Sequence, residues 1–354
     1  MNRVIPSRAL MMFAVAVAAV AAPAFDSLAR PKRQPAYEAP PPPPPPEPAG
    51  AVGLPDRLLA DAAAYEAYLQ RVTTLSPGFT SGASVAEALR TSAAYEPRAL
   101  VRGAVAYAAV AALEDADFVN QVRSAGTSPR NRRLMVGYIL ANPAYVFLFR
   151  GSEAAAGLAK EALGGAGLRL YAAGKTIKQS AYDVQHQTWS KEEVADRGGR
   201  LAAVEASSES SFPPADDHMD ALRRAASGVA PLAIAAPPAQ PPYTPLVARA
   251  LQLAAIAALG EAGDGAYDEL TSLTSDEGAA NCLHVAKLNL YQCLAVSKPN
   301  YEDIFCIGQH IMSDTGSCLA KNAGVAMPLA VNPAPMSLPA PSRPGVRRTR
   351  RAQG

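Results

Sequence analysis

The chain has 354 residues, of which 49% are hydrophobic and only 6% aromatic. This length has room for two domains of ordinary size, and the alanine-dominated hydrophobic fraction is sufficient for a core. Alanine favours helices, whereas the β-branched and aromatic runs that build sheets are scarce, so the composition predicts an all-α fold. The net charge of +2 gives no global field that would indicate a nucleic-acid partner.

The N-terminal residues 1–24 have the pattern of a secretory signal. Arg3 and Arg8 precede an apolar run over residues 9–22, and the small residues that follow predict cleavage after Ala24. The alternative is an uncleaved membrane anchor, but this run rises only ~21 Å as a helix, less than the ~30 Å hydrocarbon core of a bilayer. We therefore expect a bacterial protein that is periplasmic or secreted.

Residues 25–55 are predicted to form a disordered, proline-rich tether. Seven consecutive prolines, Pro40 to Pro46, favour a polyproline II helix. At ~3.1 Å per residue the run makes a stiff spacer of ~20 Å. The tether is a plain linker, a ligand for a proline-binding partner, or a stalk that holds the folded part away from a surface.

Residues 56–205 have helical periodicity and predict one multi-helix domain. A capping box of Ser84 and Glu87 is expected to begin the second helix. After Pro143 a long helical pattern extends to about residue 195, and its glycines predict either a close approach of two backbones or a break at 164–167. Asp56 is expected to cap the first helix, and the other helices are expected to begin at Arg98, Asp115 and Arg130.

The rest of the chain is predicted to comprise a Ser/Ala/Pro-rich linker over residues 206–244, a smaller helical domain over 245–324 and a disordered tail over 325–354. Whether the two helical regions pack together stays open. The tail has five arginines and no acidic residue. We expect it to bind an anionic envelope component, peptidoglycan or lipid headgroups, or an acidic protein. These arginines are Arg343, Arg347, Arg348, Arg350 and Arg351.

Four cysteines predict a disulfide-joined helical hairpin near the C-terminus. Helical periodicity covers 280–296 and 303–320, with a turn at Pro299 between them. The inner two cysteines lie about equally far from the turn, and the outer two lie about equally far from it at a greater distance. Of the three possible connectivities, we therefore predict Cys293–Cys306 and Cys282–Cys318.

One step of this spacing does not fit a regular helix. From Cys306 to Cys318 a straight α-helix would rotate by about 120° beyond full turns. The two sulfurs of this arm would then point in different directions. We therefore expect a distorted turn in the second helix of the hairpin.

The cysteine hairpin resembles the twin cysteine α-hairpins of intermembrane-space proteins, although its spacing is wider, so the resemblance is one of geometry. The stretch from Lys287 to Cys318 also resembles a segment of uncharacterised exported proteins of α-proteobacteria, which implies export and supplies no activity. The alternative use of the cysteines is a zinc site, whose ligands must lie within ~2.0–2.3 Å of the ion. Its four ligands would be Cys282, His284, Cys306 and His310.

No catalytic residue is predicted. Gly174-Lys175-Thr176 resembles the end of a phosphate loop, but Arg169 occupies the position of the required glycine. The sequence also contains no serine-nucleophile elbow, no zinc-protease motif and no Cys-x-x-Cys. We therefore predict neither an enzyme nor a cofactor or metal site.

Tyr182, His186 and Trp189 form a polar and aromatic cluster. Such a cluster lines a ligand groove or ends a half-buried helix. Taken together, the sequence favours a structural or interaction protein of the cell envelope. A small-ligand-binding protein and an enzyme of unrecognised type are the alternatives.

Overall fold

The computed structural model of the chain describes residues 51–209 and 216–328. The predicted signal, most of the predicted tether and nearly all of the basic tail lie outside these residues. Fourteen α-helices occupy the described part, and its only β contact is an isolated bridge between Glu193 and Pro299. The prediction of an all-α fold is confirmed.

The helices share the following order along the chain. They are α1 (Asp56–Thr73), α2 (Gly82–Ala93), α3 (Pro97–Ala112), α4 (Ala116–Ala125), α5 (Pro129–Ala141), α6 (Ser152–Val184), α7 (Thr188–Lys191), α8 (Arg197–Ser208), α9 (Asp216–Ala226), α10 (Pro245–Ala258), α11 (Tyr267–Thr271), α12 (Glu277–Val296), α13 (Asn300–Cys306) and α14 (Thr315–Asn322). Three 3-10 helices, Pro143–Leu148, Asp264–Ala266 and Ser272–Thr274, and one π-helix, Ile307–Asp314, complete the helical structure of the described residues.

Two alanine-rich helices, α3 and α10, lie at the centre of the packing. Helix α3 packs against α1, α6, α10 and α12, and α10 also packs against α6. Most residues of α3 and α10 are buried, as is typical of helices that are apolar on every side. The side chain of Gln252 in α10 is buried as well, and its amide donates a hydrogen bond to the carbonyl of Ile139 at 2.5 Å. Helices from both predicted helical regions thus share one core.

Helices α3, α4 and α5 begin within one residue of the positions that the sequence predicts. Helix α2 begins earlier than predicted, because Ser81 rather than Ser84 is its N-cap. The backbone is extended at Ser81, as an N-cap requires, and Ser84 is the third residue of the resulting capping box. Glu87 instead forms an ion pair on the surface of the same helix. Helix α1 begins at Asp56 itself, with Pro55 at the N-cap position and no side-chain cap, so the predicted cap at Asp56 is wrong.

The long helical pattern after Pro143 is a 3-10 helix followed by α6. The two are separated at Gly151, whose φ of +87° is in the left-handed region that favours glycine. Helix α6 then continues without interruption to Val184, so the predicted break at 164–167 is wrong. It is wrong because packing against the C-terminal helices, rather than local propensity, determines the backbone there.

The glycines of α6 mark a close approach of two backbones, which was the other predicted reason for them. A β-carbon added at Gly174 would lie 2.7 Å from the backbone nitrogen of Ser313 and 2.8 Å from the carbonyl oxygen of Gly308. About two turns earlier in α6, a β-carbon added at Gly167 would lie 2.7 Å from the carbonyl oxygen of Gly316. Helix α6 therefore lies directly against the π-helix and α14.

Helix α9 lies within the predicted linker 206–244. It is amphipathic, and its apolar residues Leu222, Ala225 and Ala226 are buried against a surface formed by α1 and α3. The sequence prediction of a linker misses this helix because it is short and is followed by many prolines. The segment after it also contacts the helices, since the ring of Tyr243 lies 4.8 Å from that of Phe147.

Candidate functional site

Two disulfide bonds join α12 to the helical segment that follows it. Cys282 pairs with Cys318 (the outer disulfide) and Cys293 with Cys306 (the inner disulfide), with a Cα–Cα distance of 5.8 Å in each. This is the connectivity that the spacing predicts. All four cysteines of the chain are used in these bonds, so no thiolate is left for the alternative zinc site.

The distortion that the spacing predicts lies between the two cysteines of the second arm, where residues Ile307–Asp314 form a π-helix. A π-helix has i→i+5 hydrogen bonds and turns less per residue than the ~100° of an α-helix, which reduces the rotation between Cys306 and Cys318. This offsets the expected excess of about 120° and directs Cys306 and Cys318 to the same side. Both disulfides can then form with the same partner helix.

A groove of about 420 Å³ lies beside the inner disulfide, between the end of α6 and the hairpin turn. We call it the hairpin groove. The rings of Tyr182 and Phe305 meet edge to face in its wall at 6.3 Å, and Val296 is 74% exposed at its edge. Its lining residues are Ala181, Tyr182, Gln185, Cys293, Val296, Ser297, Tyr301, Glu302 and Phe305. The mostly apolar wall fits a small aromatic or aliphatic molecule.

A cationic side chain lies next to the hairpin groove. Lys178 donates a hydrogen bond to Gln309 Oε1 at 2.8 Å, and its Nζ lies 4.8 Å from the centroid of the Phe305 ring. Partial burial lowers the pKa of Lys178. Phe305 also lies near the ring of His310, whose Nδ1 is 3.1 Å from Asp314 Oδ2. A ligand in the groove would therefore meet positive charge at its Phe305 end.

Of the three predicted groove residues, only Tyr182 reaches the hairpin groove. His186 is exposed. Trp189 is partly buried, its indole donates to Gln187 Oε1 at 2.5 Å, and its carbonyl accepts a hydrogen bond from the side chain of Asn300 at 3.1 Å. Trp189 therefore links α7 to the first residue of α13 and does not line the cavity.

A buried ion pair, which the sequence analysis missed, supports the hairpin turn. Arg200 Nη1 of α8 lies 2.5 Å from Asp303 Oδ1 of α13, and both side chains are nearly inaccessible to solvent. Asp303 also accepts a hydrogen bond from the hydroxyl of Ser297, and Arg200 donates to the carbonyl of Leu294. Burial raises the pKa of Asp303, and the Arg200 charge opposes that effect. The pair borders a pocket of about 320 Å³ between α2 and α8. Because its hydrogen bonds fix the turn against α8, we assign it a structural role.

A second, more polar pocket of about 310 Å³ lies where α1, α3, α6 and α9 meet. Tyr65 and Glu66 line it from α1, and the ring of Tyr65 lies 5.7 Å from that of Tyr107 on α3. Arg169 and His218 complete its charged lining. Among the described residues, the buried Tyr65 hydroxyl and His218 Nδ1 have no hydrogen-bond partner. Burial raises the pKa of Glu66. A small polar molecule or water would satisfy these groups.

Two further properties concern the described part of the chain. No helix there is both long and apolar enough to cross a bilayer. No group of three or more histidine, cysteine, aspartate or glutamate side chains there could hold a metal ion. The five arginines of the tail, Arg343 to Arg351, lie outside the described residues. Comparison with known protein families, with curated proteins and with solved structures finds no match.

Proposed function

We propose that the chain is an exported interaction protein of the bacterial cell envelope. The observation that carries the proposal is the pair of disulfides, which use every cysteine of the chain. Disulfides of this kind persist in the periplasm and outside the cell, whereas cytoplasmic thiols are kept reduced. The signal-like pattern at residues 1–24 supports the same compartment.

In this proposal the helical body is a scaffold and its partners are anionic. The arginines of the tail bind peptidoglycan, lipid headgroups or an acidic protein through charge, which makes the binding sensitive to salt. A disulfide-joined hairpin suits such a role because it resists unfolding and proteolysis in an environment without ATP-dependent chaperones.

Cell fractionation combined with non-reducing peptide mapping tests this proposal. The protein isolated from its native host is expected in the periplasmic or extracellular fraction, begins after Ala24, and contains Cys282–Cys318 and Cys293–Cys306. A variant that lacks residues 1–24 serves as the control and is expected to remain in the cytoplasm. Free thiols in the native protein, or a cytoplasmic location of the parent chain, would contradict the proposal.

Binding to purified sacculi and to outer-membrane vesicles, each eluted with a chloride gradient, tests the role of the tail. We expect the parent chain to be retained and a variant with the five tail arginines replaced by serine to elute at lower salt. Equal retention of the two proteins would rule out the tail as a contact. The location and disulfide experiment is independent of this result.

The hairpin groove favours a second candidate function, which is the binding of a small apolar ligand. The specific observation is a cavity of about 420 Å³ lined by Tyr182, Tyr301 and Phe305. Titration with the dye 1-anilinonaphthalene-8-sulfonate is expected to give enhanced dye fluorescence that is weakened by Phe305→Ala. Leu288→Ala removes an apolar side chain, 41% exposed, outside the groove and is the control. Equal dye binding by all three proteins would refute this function.

A further inference from the structure

Residues 118–152 differ in charge from the rest of the chain. This stretch of α4, α5 and the first 3-10 helix contains five arginines and no aspartate or glutamate. Two of the arginines are engaged within the fold, since Arg132 pairs with Glu261 at 2.8 Å and Arg123 donates to the carbonyl of Ala258 at 3.3 Å. The other three therefore give the surface an unbalanced positive charge.

Helix α5 has two distinct faces. Its inner face buries Arg132, Met135 and Ile139. Its outer face presents exposed residues at three- and four-residue intervals, as one side of a helix does. Leu134 is 51% exposed and Tyr138 57% exposed on this face. The residues of the outer face are Arg130, Arg133, Leu134, Gly137, Tyr138 and Ala141.

The apolar surface continues onto the 3-10 helix that follows α5. The ring of Tyr145 lies 5.6 Å from that of Tyr138. Leu148 follows Tyr145 by three residues, which places it on the same side of a 3-10 helix, and it is 79% exposed. Arg150 is exposed just after it. Three of the most exposed large apolar side chains of the described residues therefore lie in the same short stretch as the exposed Arg130, Arg133 and Arg150.

We propose that this basic apolar face, residues 130–150, binds an anionic lipid surface. Exposed leucine and tyrosine side chains flanked by arginines are typical of helices that lie in the interface of a membrane. The apolar groups enter the boundary between headgroups and acyl chains, and the arginines remain at the level of the lipid phosphates. Among the described residues, none of the three arginines has a carboxylate partner that would compete with those phosphates.

Both features of the face are needed to choose this partner. An acidic protein or peptidoglycan would satisfy the arginines, but would leave Leu148 and Tyr138 without an apolar environment. An uncharged apolar partner would leave three arginines unpaired. An anionic bilayer satisfies both. The inference rests on the proposed envelope function and names its partner.

Vesicle binding by the full mature chain tests this assignment. The two vesicle types are phosphatidylcholine alone and an equimolar mixture with phosphatidylglycerol. The protein is expected to co-sediment with the anionic vesicles, and this binding is expected to weaken as the sodium chloride concentration is raised. Binding to phosphatidylcholine alone is expected to be much weaker. The affinity of the double variant Leu134→Asp, Leu148→Asp for the anionic vesicles is expected to be lower by roughly tenfold or more.

The control must separate the face from the basic tail, which also attracts anionic lipid. Every protein compared therefore keeps the tail. The control variant Val229→Asp, Val285→Asp introduces two carboxylates at apolar positions outside the face and outside the hairpin groove, 72% and 45% exposed. Its net charge falls by the same two units as that of the Leu134→Asp, Leu148→Asp protein, but its carboxylates lie outside the face, so it is expected to retain most of the parent's binding. A second readout is the indole introduced by Tyr138→Trp in a Trp189→Phe background, whose emission is expected to shift to shorter wavelength and to be quenched by brominated anionic lipid.

The outcomes distinguish this inference from the proposed function. No binding of the parent chain to anionic vesicles, an equal loss in the test variant (Leu134→Asp, Leu148→Asp) and the control variant (Val229→Asp, Val285→Asp), or an unquenched indole would each overturn the assignment. Loss of an acidic envelope protein from pull-downs of the double variant, without vesicle binding by the parent, would also overturn it in favour of a protein partner. Export and disulfide formation are measured separately by fractionation and peptide mapping, so they fail or succeed independently.

Discussion

Lys287 provides a test of the core, because it is a cationic side chain enclosed by the fold. It is 2% exposed, its Nζ donates a hydrogen bond to the Ala93 carbonyl at 2.7 Å, and it lies 4.0 Å from the centroid of the Tyr95 ring. Burial lowers the pKa of Lys287 from 10.5 to about 7, and the carboxylate of Glu96 opposes this effect. We therefore expect the stability of the folded protein to increase with pH.

The size of the increase follows from the two pKa values. The unfolded chain keeps Lys287 protonated up to about pH 10.5, whereas the folded protein releases the proton above about pH 7. Between these values the unfolded state binds more protons, so the free energy of unfolding rises by up to ~1.4 kcal/mol per pH unit. From pH 6 to pH 9 the expected gain is about 2.5 kcal/mol. Below about pH 7 Lys287 is protonated in both the folded and the unfolded state, and its contribution to the free energy of unfolding is constant at its least favourable value.

Urea unfolding followed by circular dichroism at constant ionic strength measures this gain. Lys287→Met is expected to abolish the slope, and Lys321→Met, which removes an exposed lysine of α14, is expected to keep it. The slope rather than the absolute stability is diagnostic, because Lys287→Met also leaves the Ala93 carbonyl without its donor. Buried tyrosines do not interfere, since burial raises their pKa values above the ordinary 10. A parent profile without slope, or the same slope in both variants, would refute the reasoning.

Three further predictions concern stability and are measured in the same way. Gly308→Ala places a methyl group against the backbone of α6 and is expected to destabilise the protein by about 2 kcal/mol or more. Gly137→Ala, with open space around it, is expected to stabilise the protein by ~0.5–1 kcal/mol. Equal effects of the two substitutions would disprove the close packing. Arg200→Met is expected to cost ~3–5 kcal/mol because it leaves the buried Asp303 carboxylate without an opposite charge. The added change Asp303→Leu is expected to recover part of this cost. An additive cost in the double variant would contradict the ion pair. Replacing both cysteines of the outer disulfide with serine is expected to cost about 4 kcal/mol, because its sequence separation is 36. The same change at the inner disulfide, with a separation of 13, is expected to cost about 3 kcal/mol. The reverse order would contradict an effect on the unfolded chain.

Features determined by local sequence could be predicted. The helices α3, α4 and α5 begin close to their predicted positions, because Pro97, Asp115 and Pro129 provide signals that act over one turn of helix. The disulfide pairing could be predicted for a similar reason, since a single turn at Pro299 matches the cysteines of two neighbouring helices. In each case the partners are close in sequence or related by one turn.

Features that depend on distant contacts could not be predicted. Arg200 and Asp303 are separated by more than a hundred residues, and each looks like an ordinary exposed charge in the sequence. The same holds for Lys287, which meets Ala93 from a distant helix. Burial of such groups depends on which helices pack together, and this information is absent from local periodicity. The polar pocket, with residues from four helices, could not be predicted for the same reason.

The π-helix shows how a local irregularity follows from two separate constraints. The disulfides require Cys306 and Cys318 to face α12, and the glycine contacts require the intervening turn to lie directly against α6. A straight α-helix would satisfy one disulfide and direct the other sulfur about a third of a turn away. Widening the helix over Ile307–Asp314 satisfies both disulfides while Gly308 still permits the close approach to α6. The sequence spacing reveals that a distortion is needed, but its position depends on α6, which makes the cysteines and the glycines one structural unit.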